Sequence, residues 1–147
     1  MSNSKNAIVT ELFISIKNKD RENKNEIVLD MNGILEDKYY NKEVDRSILI
    51  TSMDSYILAK KNDIDVKYGS LGENILIDLN PYDLNYGDKL HIGEVVLEIT
   101  QNCTICNSLA KIDLNLPKVL ETDRGIFAKT FKGGKIRKGD KVTILKN

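Results

Sequence analysis

The sequence predicts a mainly β domain, an antiparallel barrel or sandwich carrying a few short helices. Three observations carry this reading. About eight short stretches alternate apolar and polar residues or form brief apolar runs, the mark of strands. Turn signals built from Gly, Asn and Asp recur about every 8–15 residues. No helical pattern of about 10–15 residues alternates with the strands, which argues against a doubly wound parallel sheet. At 147 residues the chain is one domain by length, spanning 1–147, with residues 1–6 expected to fray.

The charge balance narrows the function. Lys and Arg number 22 and Asp and Glu also 22, so no global field draws the protein to nucleic acid or anionic membrane, and neither is an expected partner. No apolar run approaches the ~20 residues of a membrane span. Met1 to Asn6 lack the apolar core of a signal peptide, so the expected location is the cytoplasm. The charge is uneven: from Arg124 to Asn147 eight Lys/Arg face one Asp. The plain reading is a solvated terminal hairpin; the sharper one is a basic face for an anionic ligand.

The elements follow in order. Ile8, Leu12, Ile14 and Ile16 alternate with Thr10, Glu11, Ser15 and Lys17, which predicts a first strand over 7–16. Lys17 to Asn25 is polar and without period, a loop tip, and Glu26-Ile27-Val28-Leu29 is the next strand. Met31-Asn32-Gly33 turns the chain, and the charged stretch 34–44 reads as irregular. Ser47-Ile48-Leu49-Ile50 is a short apolar strand. Thr51 or Ser52 caps a helix running to about Asn62, with Met53, Tyr56 and Ile57 at helical spacing.

Gly69-Ser70-Leu71-Gly72-Glu73-Asn74 is a glycine-flanked loop feeding Ile75-Leu76-Ile77, and no Gly-Lys-Ser/Thr makes it a phosphate loop. Tyr86-Gly87-Asp88-Lys89-Leu90 and Lys138-Gly139-Asp140-Lys141-Val142 are similar turns, each entering a strand. Between them Val95, Leu97 and Ile99 mark a strand read as running to Cys106. Two short helices follow, the second opened by Pro117. Gly125 to Phe131 is a strand, Lys132-Gly133-Gly134-Lys135 a hairpin turn, and Lys138 to Ile144 the last strand.

The chemistry concentrates at Cys103-Thr104-Ile105-Cys106, the only two cysteines of the chain, at a strand-to-loop junction. In a reducing compartment such a pair is reactive or metal-binding rather than a structural staple. Half of a zinc site would need two more ligands, and only His91 and carboxylates are on offer. A dithiol redox pair fits the spacing but not the β-rich surroundings. A single reactive or metal-ligating thiolate, with the second cysteine auxiliary, and a pair of ordinary buried thiols complete the alternatives.

Several motifs in fixed order resemble one family. They are Gly69 to Ile75, Leu84 to Gly93 with Gly87-Asp88 and Ile92-Gly93, Val96 to Gln101 leading to Cys106, and Gly125 to Lys129 followed by Gly133-Gly134 and Gly139-Asp140. Over roughly residues 27–145 this pattern resembles the MOSC domain, found at the C-terminus of molybdenum cofactor sulfurases and as small stand-alone bacterial proteins. The resemblance implies a MOSC-type antiparallel β-barrel with a few short helices. It also implies a pocket for molybdenum-molybdopterin, in which Cys106 is the catalytic residue and the metal ligand.

A thiolate is a soft ligand suited to molybdenum and is also the form that carries a persulfide. The pterin's phosphate calls for cations, and Arg46, Lys129, Lys132 and Arg137 are the candidates. Glu73, Asn74 and Gln101 complete the expected cofactor-binding set. For Glu73 and Asn74 a turn-forming role competes with ligand contact. Cys103 is a candidate auxiliary thiol.

Two departures from the family pattern stand out. Glu36-Asp37-Lys38-Tyr39 lacks the glycine and histidine usual in the first loop, and no basic residue precedes Cys106 within 102–105.

Three functions are therefore in view. The first is cofactor binding in support of reduction of N-hydroxylated compounds. With no flavin or iron–sulfur motif here, it requires an electron-transfer partner. The second is a non-catalytic sulfur carrier served by a cysteine desulfurase, since pyridoxal phosphate is not expected in this chain. The third is a Cys103–Cys106 redox or interaction module.

Overall fold

The computed structural model describes residues 7–103 and 109–146. Eleven strands form among them: β1 (Ala7–Ile14), β2 (Glu22–Lys24), β3 (Glu26–Asp30), β4 (Gly33–Ile34), β5 (Ile48–Ser52), β6 (Ile75–Ile77), β7 (Lys89–Ile92), β8 (Val95–Asn102), β9 (Ile126–Lys132), β10 (Gly134–Arg137) and β11 (Lys141–Leu145). The helices are α1 (Met53–Lys61) and α2 (Leu116–Val119), with single 3₁₀ turns at Val44–Arg46 and Leu109–Lys111. Ser52 caps α1, its hydroxyl accepting the Asp54 N–H at 3.0 Å. Pro117 sits in the first turn of α2, where its missing N–H costs nothing.

Seven strands close a barrel in the order β11-β7-β8-β9-β5-β6-β1, sealed where Ala7 of β1 pairs with Val142 of β11. Closure removes the exposed edges that an open sheet would present. The barrel is antiparallel except at β5 and β6, which run parallel with Ile50 opposite Ile75. A parallel partner requires a long crossover, and residues 53–74, carrying α1, supply it. The small strand β2 extends β1 outside the barrel.

The first strand departs from simple alternation. Ala7 and Val9 are buried while Ile8 is 40% exposed, and beyond a bulge between Val9 and Glu11 the buried set becomes Leu12, Phe13 and Ile14. One extra residue shifts the side-chain phase, so Ile8 and Leu12 face differently although both are even-numbered.

The glycine pair after β9 is not a hairpin turn. Strand β9 pairs with β8 and β5 in the barrel, whereas β10 pairs with β3 in a separate three-stranded sheet, β10-β3-β4. Gly133 carries the chain between the two. A Cβ there would stand 2.6 Å from the Leu29 carbonyl oxygen, so only glycine passes.

Two apolar cores result. Inward residues such as Leu12, Ile50, Ile75, Ile77, Leu97 and Ile126 fill the barrel. Leu76, between Ile75 and Ile77, points the other way and joins Tyr56, Ala59, Leu109, Leu116 and Leu120 beneath the helices. Strand β6 is thus buried on both faces, which explains its uninterrupted apolar run. Among the described residues no helix is long and apolar enough to cross a membrane.

Candidate anion-binding cleft

A cleft of about 680 Å³ opens at one end of the barrel, a size typical of a small-molecule site. Ser15 from the end of β1, Arg21 from the loop before β2 and Ser47 and Leu49 at the start of β5 line it. The 38–46 segment contributes Lys38, Tyr39, Lys42, Glu43 and Arg46. Gly72 and Asn74 come from the glycine-flanked loop, Cys103 from the end of β8, Lys111 from the second 3₁₀ turn, and Arg124 and Phe127 from the start of β9. Six of these residues are cationic and one, Glu43, is acidic. In a partly enclosed space that imbalance favours an anion.

Arg21 is held from three directions. Its guanidinium donates to the Ser15 hydroxyl and to the Glu73 carbonyl, and lies 6.0 Å from the centre of the Phe13 ring. Burial pulls its pKa below the usual arginine range, opposed by the nearby Glu73 and Asp37 carboxyls. Arg46 ends the first 3₁₀ turn and stacks at 4.9 Å over Phe127. The Nε atoms of Arg21 and Arg46 are buried and have no hydrogen-bond partner among the described residues. Buried N–H donors normally find an acceptor, so these two have capacity for a bound anion.

Asp37 organises the wall beside them. Its carboxylate accepts the Ser15 N–H at 2.7 Å, the Tyr39 N–H at 3.0 Å and the Asn74 amide at 3.3 Å. It therefore ties the 36–43 segment to β1 and to the glycine-flanked loop. Asn74 lines the cleft, but its amide is engaged. Oδ1 accepts from Leu49 N–H at 3.0 Å, and Nδ2 also donates to the Phe13 carbonyl at 3.2 Å. Its geometry is that of a backbone tie.

Glu73 lies outside the cleft and is fully buried. Its Oε2 accepts from the Tyr56 hydroxyl and from Gly69 N–H, while Oε1 has no partner among the described residues. Desolvation pushes the Glu73 carboxyl above the usual range, against the lowering effect of these bonds and of Arg21. Desolvation, with the carboxyl of Glu73 beside it, likewise raises the Tyr56 hydroxyl.

The remaining expected site residues stand elsewhere. Gln101 is exposed on β8. Lys129 pairs with Asp45 at 3.7 Å, and Arg137 with Glu26 at 3.5 Å. Lys132 is exposed at the end of β9. None of these four lines the cleft, which takes Arg46 and Asn74 from the expected set, together with Cys103. Cys103 is buried at the wall, its N–H donating to the Gly125 carbonyl at 3.0 Å. Cys106 follows three residues later and lies outside the described residues. Among the described residues no three His, Cys, Asp or Glu side chains cluster as a metal site would require.

Arg21, Lys38, Lys42 and Lys111 carry no sequence signal of their own as site residues, and Arg124 stands out only as the first cation of the basic C-terminal stretch. The only hint is that Arg21 sits in a charged loop too short to be a linker.

The fold and the cleft together define a small closed β-barrel with a basic, part-apolar cleft at its end. The MOSC domain model matches residues 37–143, and the chain belongs to the MOSC domain family. The fold is shared with the YuaD protein of Bacillus subtilis, at a TM-score of 0.83 and 15% identity over 97% of both chains. It is also shared with YiiM of Geobacillus stearothermophilus, at 0.69 and 16% over 95% of this chain and 73% of that one. For YiiM of Escherichia coli the values are 0.65 and 16%, over 95% and 70%. No curated protein sequence matches the chain.

Proposed function

We propose that the cleft binds the molybdenum cofactor, with its phosphate at Arg21 and Arg46 and its metal held by the Cys106 thiolate. The observation that carries this is the pair of buried guanidinium Nε donors without partners in a cleft of six cations and one carboxylate. The donor set fits the group. Guanidinium forks suit phosphate oxygens, and the Phe127 and Tyr39 rings with Leu49 offer apolar walls to a planar ring system. Cys103, just past the end of β8, lines the cleft, Cys106 stands three residues further along the sequence, and a thiolate is a soft donor suited to molybdenum. When bound, the cofactor supplies two-electron redox chemistry of the kind that reduces N-hydroxylated compounds, with electrons from a separate partner protein.

The chain's own residues perform the binding and orienting. Arg46, fixed by stacking on Phe127, presents its charge without having to be ordered at each binding event. Arg21 is pre-set by Ser15 and the Glu73 carbonyl. Asp37 holds the cationic 38–46 wall in register with both.

The test is the molybdenum and pterin content of protein purified from a host that makes the cofactor. Wild type is expected to carry both, and Cys106→Ser to lose molybdenum. Wild-type protein devoid of pterin, or a Cys106→Ser variant with undiminished molybdenum, would refute the reading. Added sulfur on Cys106 after incubation with a cysteine desulfurase, in protein that never carries pterin, would favour a sulfur carrier instead.

A further inference from the structure

A groove of about 780 Å³ lies beside α1, separate in its lining residues from the cleft. Met53, Ile57, Val66 and Tyr68 give it an apolar lining, with Ile57 49% and Tyr68 41% exposed. Isolated exposed apolar residues are ordinary, but here they share one groove on a rigid wall. That wall is firm because Tyr56, which also lines the groove, and Ala59 are buried in the second core, and Tyr68 packs edge-on against Tyr56 at 4.9 Å.

The charges around this groove are mostly positive. Lys60, Lys61 and Lys67 line it against a single acid, Asp65. Lys60 pairs with Asp65 at 3.2 Å. Lys61 and Lys67 have no ion-pair partner among the described residues, unlike Lys129, Lys135 and Lys138, each of which meets a carboxylate. The uncompensated charge is therefore set at the margin of an apolar floor.

We infer that this groove docks an acidic amphipathic segment of a partner protein, whose apolar side chains sit on Ile57 and Tyr68 and whose carboxylates meet Lys61 and Lys67. An apolar anchor flanked by complementary charge is the recurring chemistry of helix-in-groove recognition. The apolar contact supplies most of the affinity, and the lysines supply orientation and rate of encounter. The groove and the cleft share no lining residue.

The experiment is fluorescence anisotropy with three synthetic peptides of about 16 residues, roughly the length of an amphipathic helix that fills such a groove. One carries Leu and Phe on one face and Glu on the other. The second replaces Glu by Lys, and the third replaces the apolar residues by Ser. The acidic amphipathic peptide is expected to bind roughly 10-fold or more tighter than either of the others. Ile57→Ser and, separately, Lys61→Glu are each expected to weaken it roughly 10-fold. Both side chains are exposed, so far-UV circular dichroism should not change, and Tm should fall by no more than the modest contribution of one charge in the last helical turn.

Equal binding of the acidic Ser peptide would reduce the effect to unspecific charge and overturn the proposal. So would affinity indifferent to both substitutions. A wild-type dimer in sedimentation that Ile57→Ser dissolves would show that a second copy covers the groove. Binding to vesicles of anionic lipid that both substitutions abolish, with no peptide binding, would assign the surface to a membrane.

Discussion

Two groups of cations in this molecule look alike in sequence and differ in what surrounds them. The segment from β9 to β11 holds Lys129, Lys135, Arg137 and Lys138, and each is paired with Asp45, Glu26 or Glu11. The cleft holds Arg21, Lys38, Lys42, Arg46, Lys111 and Arg124 against one carboxylate, Glu43. In the first group each charge already meets a carboxylate in a partly or fully solvated ion pair, where such pairs contribute little. In the second, two guanidinium groups are partly buried on aromatic rings and keep buried donors open. A run of basic residues therefore does not by itself mark a candidate anion site; buried guanidinium donors without a partner among the described residues are the better guide.

The largest expected effect breaks this contrast at the cleft. Replacing both Arg21 and Arg46 by Gln removes two charge-assisted contacts of about 1.5–3 kcal/mol each, so affinity for a pterin phosphate should fall roughly 100-fold or more. Titration calorimetry measures it, and a loss under threefold would contradict the assignment.

Next in size is Gly69→Ala. At φ +92° its Cβ would stand 2.9 Å from the Phe13 ring that lies beneath Arg21. Thermal unfolding should show a loss of about 1–3 kcal/mol, from the left-handed backbone and the displaced ring together. Unchanged Tm would show that Phe13 is not fixed against this loop.

A smaller effect sharpens the role of Glu73. Its folded pKa lies above the ordinary 4.5, because burial outweighs the Tyr56 and Gly69 hydrogen bonds. The folded state thus holds this proton more tightly than the unfolded state. The contribution to stability is fully present below about pH 4.5 and is lost as pH rises through the folded value. Glu73→Gln cannot ionise, so its Tm should exceed that of wild type at neutral pH, with the gap closing towards pH 4.5. A gap independent of pH would show that Glu73 is not the titrating group.

The smallest effect is at the other cation group. Lys132→Gln with Arg137→Gln removes one exposed lysine and one surface ion pair. Stability should change by less than about 0.5 kcal/mol and ligand affinity by less than about twofold.

Much of the fold was legible because its determinants are local. The Ser52 cap, Pro117 at the first turn of α2, and the Gly-Asp turns into β7 and β11 all act within a few residues of where they stand. What escaped was non-local. The bulge in β1 moved Ile8 off the barrel's inner face. The parallel pairing of β5 and β6 depends on the whole crossover between them. The glycine pair at 133–134 looks like a hairpin turn until β10 is found on β3.

The site was legible in part for the same reason. Arg46 is one of the four cations expected at the phosphate, and Cys103 belongs to the chain's one cysteine pair. Arg21 stands in a charged loop without pattern, and only the pairing of β2 with β1 places that loop beside Ser15 and Glu73. Glu73 and Asn74 share one loop, yet one is sealed in the core and the other ties the cleft wall, a division that only burial reveals.

The central claim is that the cleft cations, and not those of the C-terminal strands, hold the cofactor's phosphate. The most direct measurement is pterin bound per protein in wild type, in Arg21→Gln with Arg46→Gln, and in Lys132→Gln with Arg137→Gln, all purified from a host that makes the cofactor. Wild type and the Lys132/Arg137 variant should carry equal pterin, and the Arg21/Arg46 variant almost none. Full pterin in the Arg21/Arg46 variant, with loss in the Lys132/Arg137 variant, would contradict the account.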